Sequence, residues 1–284
     1  MSEQSKHCNV SAALGTKPNL MANHKITILL AAVLWLLTGL VSPPLLAEDP
    51  PTVLITGSNR GLGLEFARQY AARGWIVIAT ARQPEVADAL NSLAAEHANV
   101  RVEALDVTSD AMIEALRSKL AGQPIDVLLN NAGMLGDVRG QFFGKLDAET
   151  FTQVMTTNAL APLMIAEAFI ENVMRSEQKK IVAISSRGGS FSENRRGMPG
   201  AYFYKSSKTA LNMLLRTLAQ DLRGDGVTVL LLSPGTVDTR NMGIKSPRLV
   251  AIDVSIAGMI EVIEQATPEM SGSFIRYSGD IQPW

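Results

Sequence analysis

The sequence predicts an α/β fold, a doubly wound parallel sheet forming a single domain over residues 50–284. Three observations carry that prediction. Apolar strand-like runs alternate with helical stretches from residue 50 onward, the order that builds βαβ units with right-handed crossovers. Several of the runs are unbroken Val, Ile and Leu, as expected where helices cover both faces of a sheet. Polar clusters follow the runs after 56, 80, 105, 130, 185 and 232. Ligands of such sheets bind at the carboxyl ends of strands, near the switch in strand order.

In chain order, the first strand, TVLIT (52–56), breaks on glycines and gives way to a helix over 62–73. The second, WIVIAT (75–80), leads into a helix over 84–96, with Glu85 after Pro84 in its first turn. VRVEAL (100–105) precedes a helix over 109–121, and IDVLLN (125–130) runs into the segment NNAG. A helical pattern over 150–175 follows, then KIVAIS (180–185), which ends on two serines. The helix over 203–223 opens with YFYKSSK. VTVLLL (227–232) is followed by SPGTVDT, a helix over 253–266 and a last strand, SFIRY (273–277). No linker or repeat interrupts 50–284.

The turn after the first strand reads TGSNRGLG and holds Gly57, Gly61 and Gly63. Glycine permits positive φ and lets a phosphate approach the backbone, and the helix that follows offers free N–H groups and partial positive charge. The spacing T-G-x-x-x-G-x-G is neither G-x-G-x-x-G nor the Walker phosphate loop. A glycine-rich turn alone is also compatible with a purely structural role.

Residues 1–49 are different material. A polar stretch precedes sixteen residues without a charge, Ile26 to Val41, and Pro43 and Pro44 end any helix there. Lys25 and His24 stand before the run, and Glu48 and Asp49 after it. The pattern reads as a signal peptide or an uncleaved membrane anchor over 26–41, with Met21 as an alternative start. Leu45 sits where a cleavage site prefers a small residue, and the run is short against the ~20 residues of a full span. A buried helix packed on the domain is the third reading. No Arg pair supports a twin-arginine address.

Composition excludes several functions. With 26 basic and 27 acidic side chains there is no basic excess to bind nucleic acid. Cys8 is the lone cysteine and lies in the tail, so neither a disulfide framework nor a thiolate metal site can form within the chain. His7, His24 and His97 are scattered. The chemistry therefore falls to hydroxyl, amide and Lys/Arg groups, and no metal is expected.

The glycine turn, NNAG (130–133), Tyr204-x-x-x-Lys208 and SPGTVDT (233–239), in that order, resemble the short-chain dehydrogenase/reductase family over about 52–284. The ending GSFIRYSGDIQPW and the region TRNMGIKSP look like its C-factor and sniffer-type carbonyl reductase branch. The resemblance implies a Rossmann-like sheet. It also implies a dinucleotide held by Gly57, Ser58, Asn59, Arg60, Gly61, Leu62 and Gly63. Asp106 and Val107 would border the adenine, Asn131, Ala132 and Gly133 would line the cofactor, and Pro234, Gly235, Val237 and Thr239 would hold the nicotinamide end. Ala81 stands where NAD-preferring members carry an aspartate. Arg82 follows it and Arg60 lies in the turn, two guanidinium groups suited to a 2′-phosphate. NADP(H) is therefore expected over NAD(H).

A free phenol has a pKa of about 10. Lys208, one helical turn from Tyr204, is expected to lower that value together with the cofactor, so that Tyr204 passes a proton to or from the substrate oxygen. The resemblance implies that Lys208 also binds the nicotinamide ribose, as its family counterpart does. Ser186 would hydrogen-bond the substrate oxygen, with Ser185 as its rival and the family pattern favouring the second serine. Asn158, in TTNALAP, matches the family's fourth catalytic residue, and the resemblance implies that it helps hold a water that connects the lysine to solvent. Tyr202 is followed four residues later by Ser206, which carries no charge. The insertion GGSFSENRRGMPG is expected to line the pocket.

The expected activity is NADPH-dependent, reversible reduction of a small-molecule carbonyl compound (aldehyde, ketone or quinone). The expected active unit is a homodimer or homotetramer built through 150–175 and 203–223. The alternative is a C-factor-like signalling or sensor protein with little turnover. An exported domain would meet little free NADPH, a conflict the residues leave open. Loops 134–145, 187–201 and 240–252 carry no charge pattern that names a substrate.

Overall fold

Seven parallel strands form the sheet: β1 (Thr52–Ile55), β2 (Ile76–Ala81), β3 (Val100–Ala104), β4 (Val127–Asn130), β5 (Lys180–Ile184), β6 (Thr228–Ser233) and β7 (Ser273–Arg276). They pair in the order β3-β2-β1-β4-β5-β6-β7. The structure is a computed structural model describing residues 49–193, 200–238, 243 and 249–284. The apolar run 26–41 and Thr239 lie outside the described residues. Among the described residues, no helix is long and apolar enough to cross a membrane.

The helices are α1 (Gly61–Ala72), α2 (Asp88–Glu96), α3 (Asp110–Lys119), α4 (Ala148–Met155), α5 (Ala161–Met174), α6 (Tyr202–Asp221) and α7 (Ile252–Glu264). Alternate residues of each strand point to opposite faces, so the unbroken apolar runs supply two cores at once. On one face Val53, Ile55, Val77 and Leu230 meet Phe66 and Tyr70 of α1 and Ile256 and Ile260 of α7. On the other, Leu54, Ile78, Leu128 and Leu231 meet Ile165 and Phe169 of α5 and Leu211 and Leu215 of α6.

The chain winds outward from β1 to β3, then returns to place β4 beside β1. The switch in strand order therefore lies between β1 and β4, and the glycine turn and NNAG stand together at their carboxyl ends. Thr56 closes that point. Its Oγ1 accepts from the N–H groups of Asn131 and Ala132, each at 3.0 Å.

Two expected helices differ from their sequence reading. The 84–96 pattern starts as a 3-10 turn, Pro84–Val86, and becomes helical only at Asp88. The 150–175 pattern is α4 and α5 joined through a π turn, Thr156–Leu160. Such turns insert a residue into a helix and recur at functional sites. Here Asn158 lies inside it.

Candidate active site

Each glycine of the first turn has its own reason. Gly57 and Gly61 adopt φ of 69° and 58°, a region open to glycine and strained for other residues. Gly63 has ordinary backbone but no room: a Cβ there would lie 2.3 Å from Gly57 O and 2.5 Å from Asn131 Nδ2. Asn131 Nδ2 donates to the carbonyls of Thr56 and Gly57 at 2.9 and 3.0 Å, fixing the turn to the end of β4. Thus α1 starts hard against the turn.

Beside it opens a cleft of about 380 Å³. Gly57, Asn59, Arg60, Gly61, Leu62, Gly63, Arg82, Asp106, Val107, Asn131, Ala132 and Gly133 all line it, with Gln83, Thr108, Met134 and Thr157. Bare backbone at the start of α1 and two exposed guanidinium groups match the chemistry of a phosphorylated dinucleotide. Asp106 is partly engaged, because its carboxylate accepts from Thr108 N–H and Oγ1 at 2.9 and 2.7 Å. Ser58 departs from expectation. It is fully buried, its N–H donates to Thr80 O and its hydroxyl to Ile55 O. Its polar groups secure the turn to the sheet rather than face the cleft.

The remaining groups pair at two glycines, Gly133 at the end of the cleft and Gly188 beside α6. A Cβ on Gly133 would lie 3.3 Å from Asn158 Oδ1 and 3.7 Å from Lys208 Nζ. One on Gly188 would lie 3.4 Å from Ser186 Oγ and 3.8 Å from the Tyr204 ring. The turn Arg187–Gly189 seats on α6 because Gly189 has no side chain; a Cβ there would reach 2.8 Å from the Lys208 backbone. Ser186 Oγ accepts from Gly188 N–H at 3.0 Å and hydrogen-bonds the Tyr204 phenol. Ser185 is buried and directed away, its hydroxyl donating to Asn212 Oδ1 at 2.5 Å. Tyr202 is exposed.

Asn158 is fully buried and its side chain is engaged throughout. Oδ1 accepts from Met134 N–H, while Nδ2 donates to Met134 O and Ser207 Oγ. Its amide thus clamps the segment leaving the cleft. Pro234, Gly235 and Val237 follow β6 and are half-buried, outside the lining of the cleft. Gly235 has φ 79°, and a Cβ there would lie 3.0 Å from the Tyr277 ring.

Burial pushes the Tyr204 phenol above its ordinary range, and the Ser186 hydrogen bond pulls it back only in part. Lys208 Nζ donates to Ile184 O at 2.8 Å. Burial drops the lysine itself from 10.5 to about 8. Because the folded value lies below the unfolded one, the unfolded chain holds the extra proton between about pH 8 and 10.5. This contribution to stability therefore rises with pH across that window and is unfavourable below it. Lys208→Met is expected to lose the alkaline rise, which urea unfolding at pH 7 and pH 10 checks.

One residue carries no sequence signal. Gln141 is fully buried, and its Oε1 accepts from Tyr204 N–H at 3.0 Å. A lone glutamine in a polar loop has no spacing that marks it.

The short chain dehydrogenase family model matches residues 51–249. The chain belongs to the short-chain dehydrogenase family. As a member it is an NAD(P)-dependent oxidoreductase with a Rossmann-like sheet. Similar members include the C-signal protein of Myxococcus xanthus, 38% identical over 172 residues, covering 61% of this chain and all of that one. Among solved structures, the NADPH-bound carbonyl reductase from chicken fatty liver is similar at 32% identity and TM-score 0.77, covering 83% of this chain and all of that one. The carbonyl reductase Sniffer of D. melanogaster is similar at 26% identity and TM-score 0.73, again over 83% of this chain and all of that one.

Proposed function

We propose that this short-chain dehydrogenase is an NADPH-dependent reductase of carbonyl compounds (aldehydes, ketones or quinones), reversible, with Tyr204 as its proton donor. The observation that carries this reading is that Asn158 and Lys208 reach Gly133, in the lining of a cleft that Arg60 and Arg82 also line, while Ser186 and Tyr204, the latter one helical turn from Lys208, meet at Gly188. When bound, the dinucleotide supplies hydride. The chain's own groups do the rest. Ser186 donates a hydrogen bond to the substrate oxygen as negative charge develops there. Tyr204, kept protonated by burial, releases its proton to that oxygen. Lys208 carries positive charge below about pH 8 and steadies the phenolate left behind. The NADPH-bound chicken enzyme is consistent with the cofactor preference.

The test is consumption of NADPH by the full chain with a panel of aldehydes, ketones and quinones, alongside alcohol formation. Cofactor preference has its own check. Replacing Arg60 and Arg82 together by alanine is expected to weaken NADPH binding by about 100-fold, with NADH binding changed by less than about threefold. Titration of both dinucleotides reads this directly. Equal weakening of both would remove the 2′-phosphate role.

The likeness to C-signal favours a second reading, a cofactor-binding signalling protein with little turnover. It requires NADPH binding without turnover on any carbonyl and a Tyr204→Phe variant that keeps biological function. Either reading is compatible with a homodimer or homotetramer through α4, α5 and α6, where Leu160, Met164 and Met213 leave apolar surface exposed.

A further inference from the structure

The N-terminus of α6 has no capping side chain of its own. Ala201, which precedes it, sits in the left-handed region with φ 53° and ψ 36° and offers no side-chain oxygen. The first amides of a helix lack intrahelical acceptors, and one of them belongs to Tyr204. Its acceptor comes from a distant loop, through Gln141 Oε1.

The other end of the same carboxamide is also engaged. Gln141 Nε2 donates to Leu135 O at 2.7 Å and to Asp137 O at 3.3 Å. A carboxamide can accept and donate at once; a leucine does neither, and an ionised glutamate only accepts. The loop it ties is the one leaving the cleft, where Asn158 holds Met134 by both backbone groups. Gly136, at φ 75°, gives the side chain room: a Cβ there would lie 3.2 Å from Gln141 Nε2. The backbone is fixed as well, because Gly140 O accepts from Asp147 N–H at 3.0 Å, and Asp147 caps α4.

We propose that Gln141 is a positioning residue for the reaction assigned to Tyr204. By joining the 134–137 loop to the first turn of α6, it sets the height of the phenol relative to Ser186 and Asn158. The proposal rests on the Tyr204 reading above. Gln141 does not line the dinucleotide cleft, so its effect falls on kcat rather than on cofactor affinity.

The test compares Gln141→Leu, Gln141→Glu and Tyr204→Phe in the full chain by kcat, KM for carbonyl, NADPH affinity, melting temperature and pH profile. Gln141→Leu is expected to lower kcat by about 10- to 100-fold, with NADPH affinity within about twofold, since small misplacements of reacting groups cost this much. Gln141→Glu keeps the acceptor for Tyr204 N–H but donates to Leu135 O only when protonated. Its kcat is expected to exceed that of Gln141→Leu and to decline with rising pH along a limb the parent lacks. A merely structural role would lower both melting temperatures without creating that limb. Folded Gln141→Leu with kcat within about twofold of the parent overturns the proposal, as does a Gln141→Glu profile that superimposes on the parent's. If Gln141→Leu fails to fold, the Gln141→Glu profile decides alone. Parental turnover by Tyr204→Phe would instead remove the proposed function. Loss in Tyr204→Phe with normal turnover in Gln141→Leu would remove only the Gln141 assignment.

Discussion

Tyr204→Phe is expected to lower kcat for carbonyl reduction by about 10³-fold, the middle of the range for losing a positioned acid–base group. The substitution deletes one oxygen from a ring packed beside Ser186 and Gly188. It leaves the glycine turn, Arg60 and Arg82 untouched, so NADPH affinity should move by less than about twofold. The fold should not suffer, because the lost hydroxyl bonds to Ser186, which is itself only half-buried. Steady-state kinetics with a dinucleotide titration separates the two effects. A variant that lost binding and turnover together would point to a structural role for the phenol.

Gly63→Val is expected to damage both stability and dinucleotide binding. The neighbours of its new Cβ are a backbone carbonyl at 2.3 Å and the Asn131 amide at 2.5 Å, which itself holds Gly57 and Thr56. Neither can retreat without opening the junction of β1 and β4. Overpacking of this kind costs about 1–3 kcal/mol, a fall of several degrees in Tm for a domain of this size. NADPH binding should weaken on the order of 100-fold as the first turn of α1 moves off its place. Thermal unfolding and dinucleotide titration report the two losses. Gly74→Ala is the control, since a Cβ there meets nothing within 4 Å, although its φ of 80° adds strain of its own.

The sheet and the glycine turn were legible in the sequence because their causes are local. Unbroken Val/Ile/Leu runs have few alternatives to buried parallel strands, and every predicted strand overlaps an observed one within a residue or two. Gly57, Gly61 and Gly63 announce a backbone that side chains would obstruct. Ser185 and Ser186 were harder, because adjacent strand-end residues face opposite ways and only packing shows which meets Tyr204. The π turn at Thr156–Leu160 escaped because a helix with one inserted residue keeps nearly the same apolar pattern. Ser58 was hard to place for a related reason: the motif marks the turn, not which of its polar groups turns inward. Adjacency of Tyr204 to Lys208 is visible in sequence, whereas the burial that pushes the phenol up is not. Gln141 acts across the fold, and no neighbour in sequence betrays it.

The central claim is that the phenol of Tyr204 delivers a proton to a carbonyl oxygen at the end of a dinucleotide cleft. Its most direct test is single-turnover oxidation of NADPH prebound to the full chain, mixed with carbonyl compounds, in the parent and in Tyr204→Phe. The account predicts one alcohol formed per NADPH consumed by the parent, and NADPH held but unconsumed in the variant. Equal consumption by both proteins, or none by the parent across aldehydes, ketones and quinones, would contradict it.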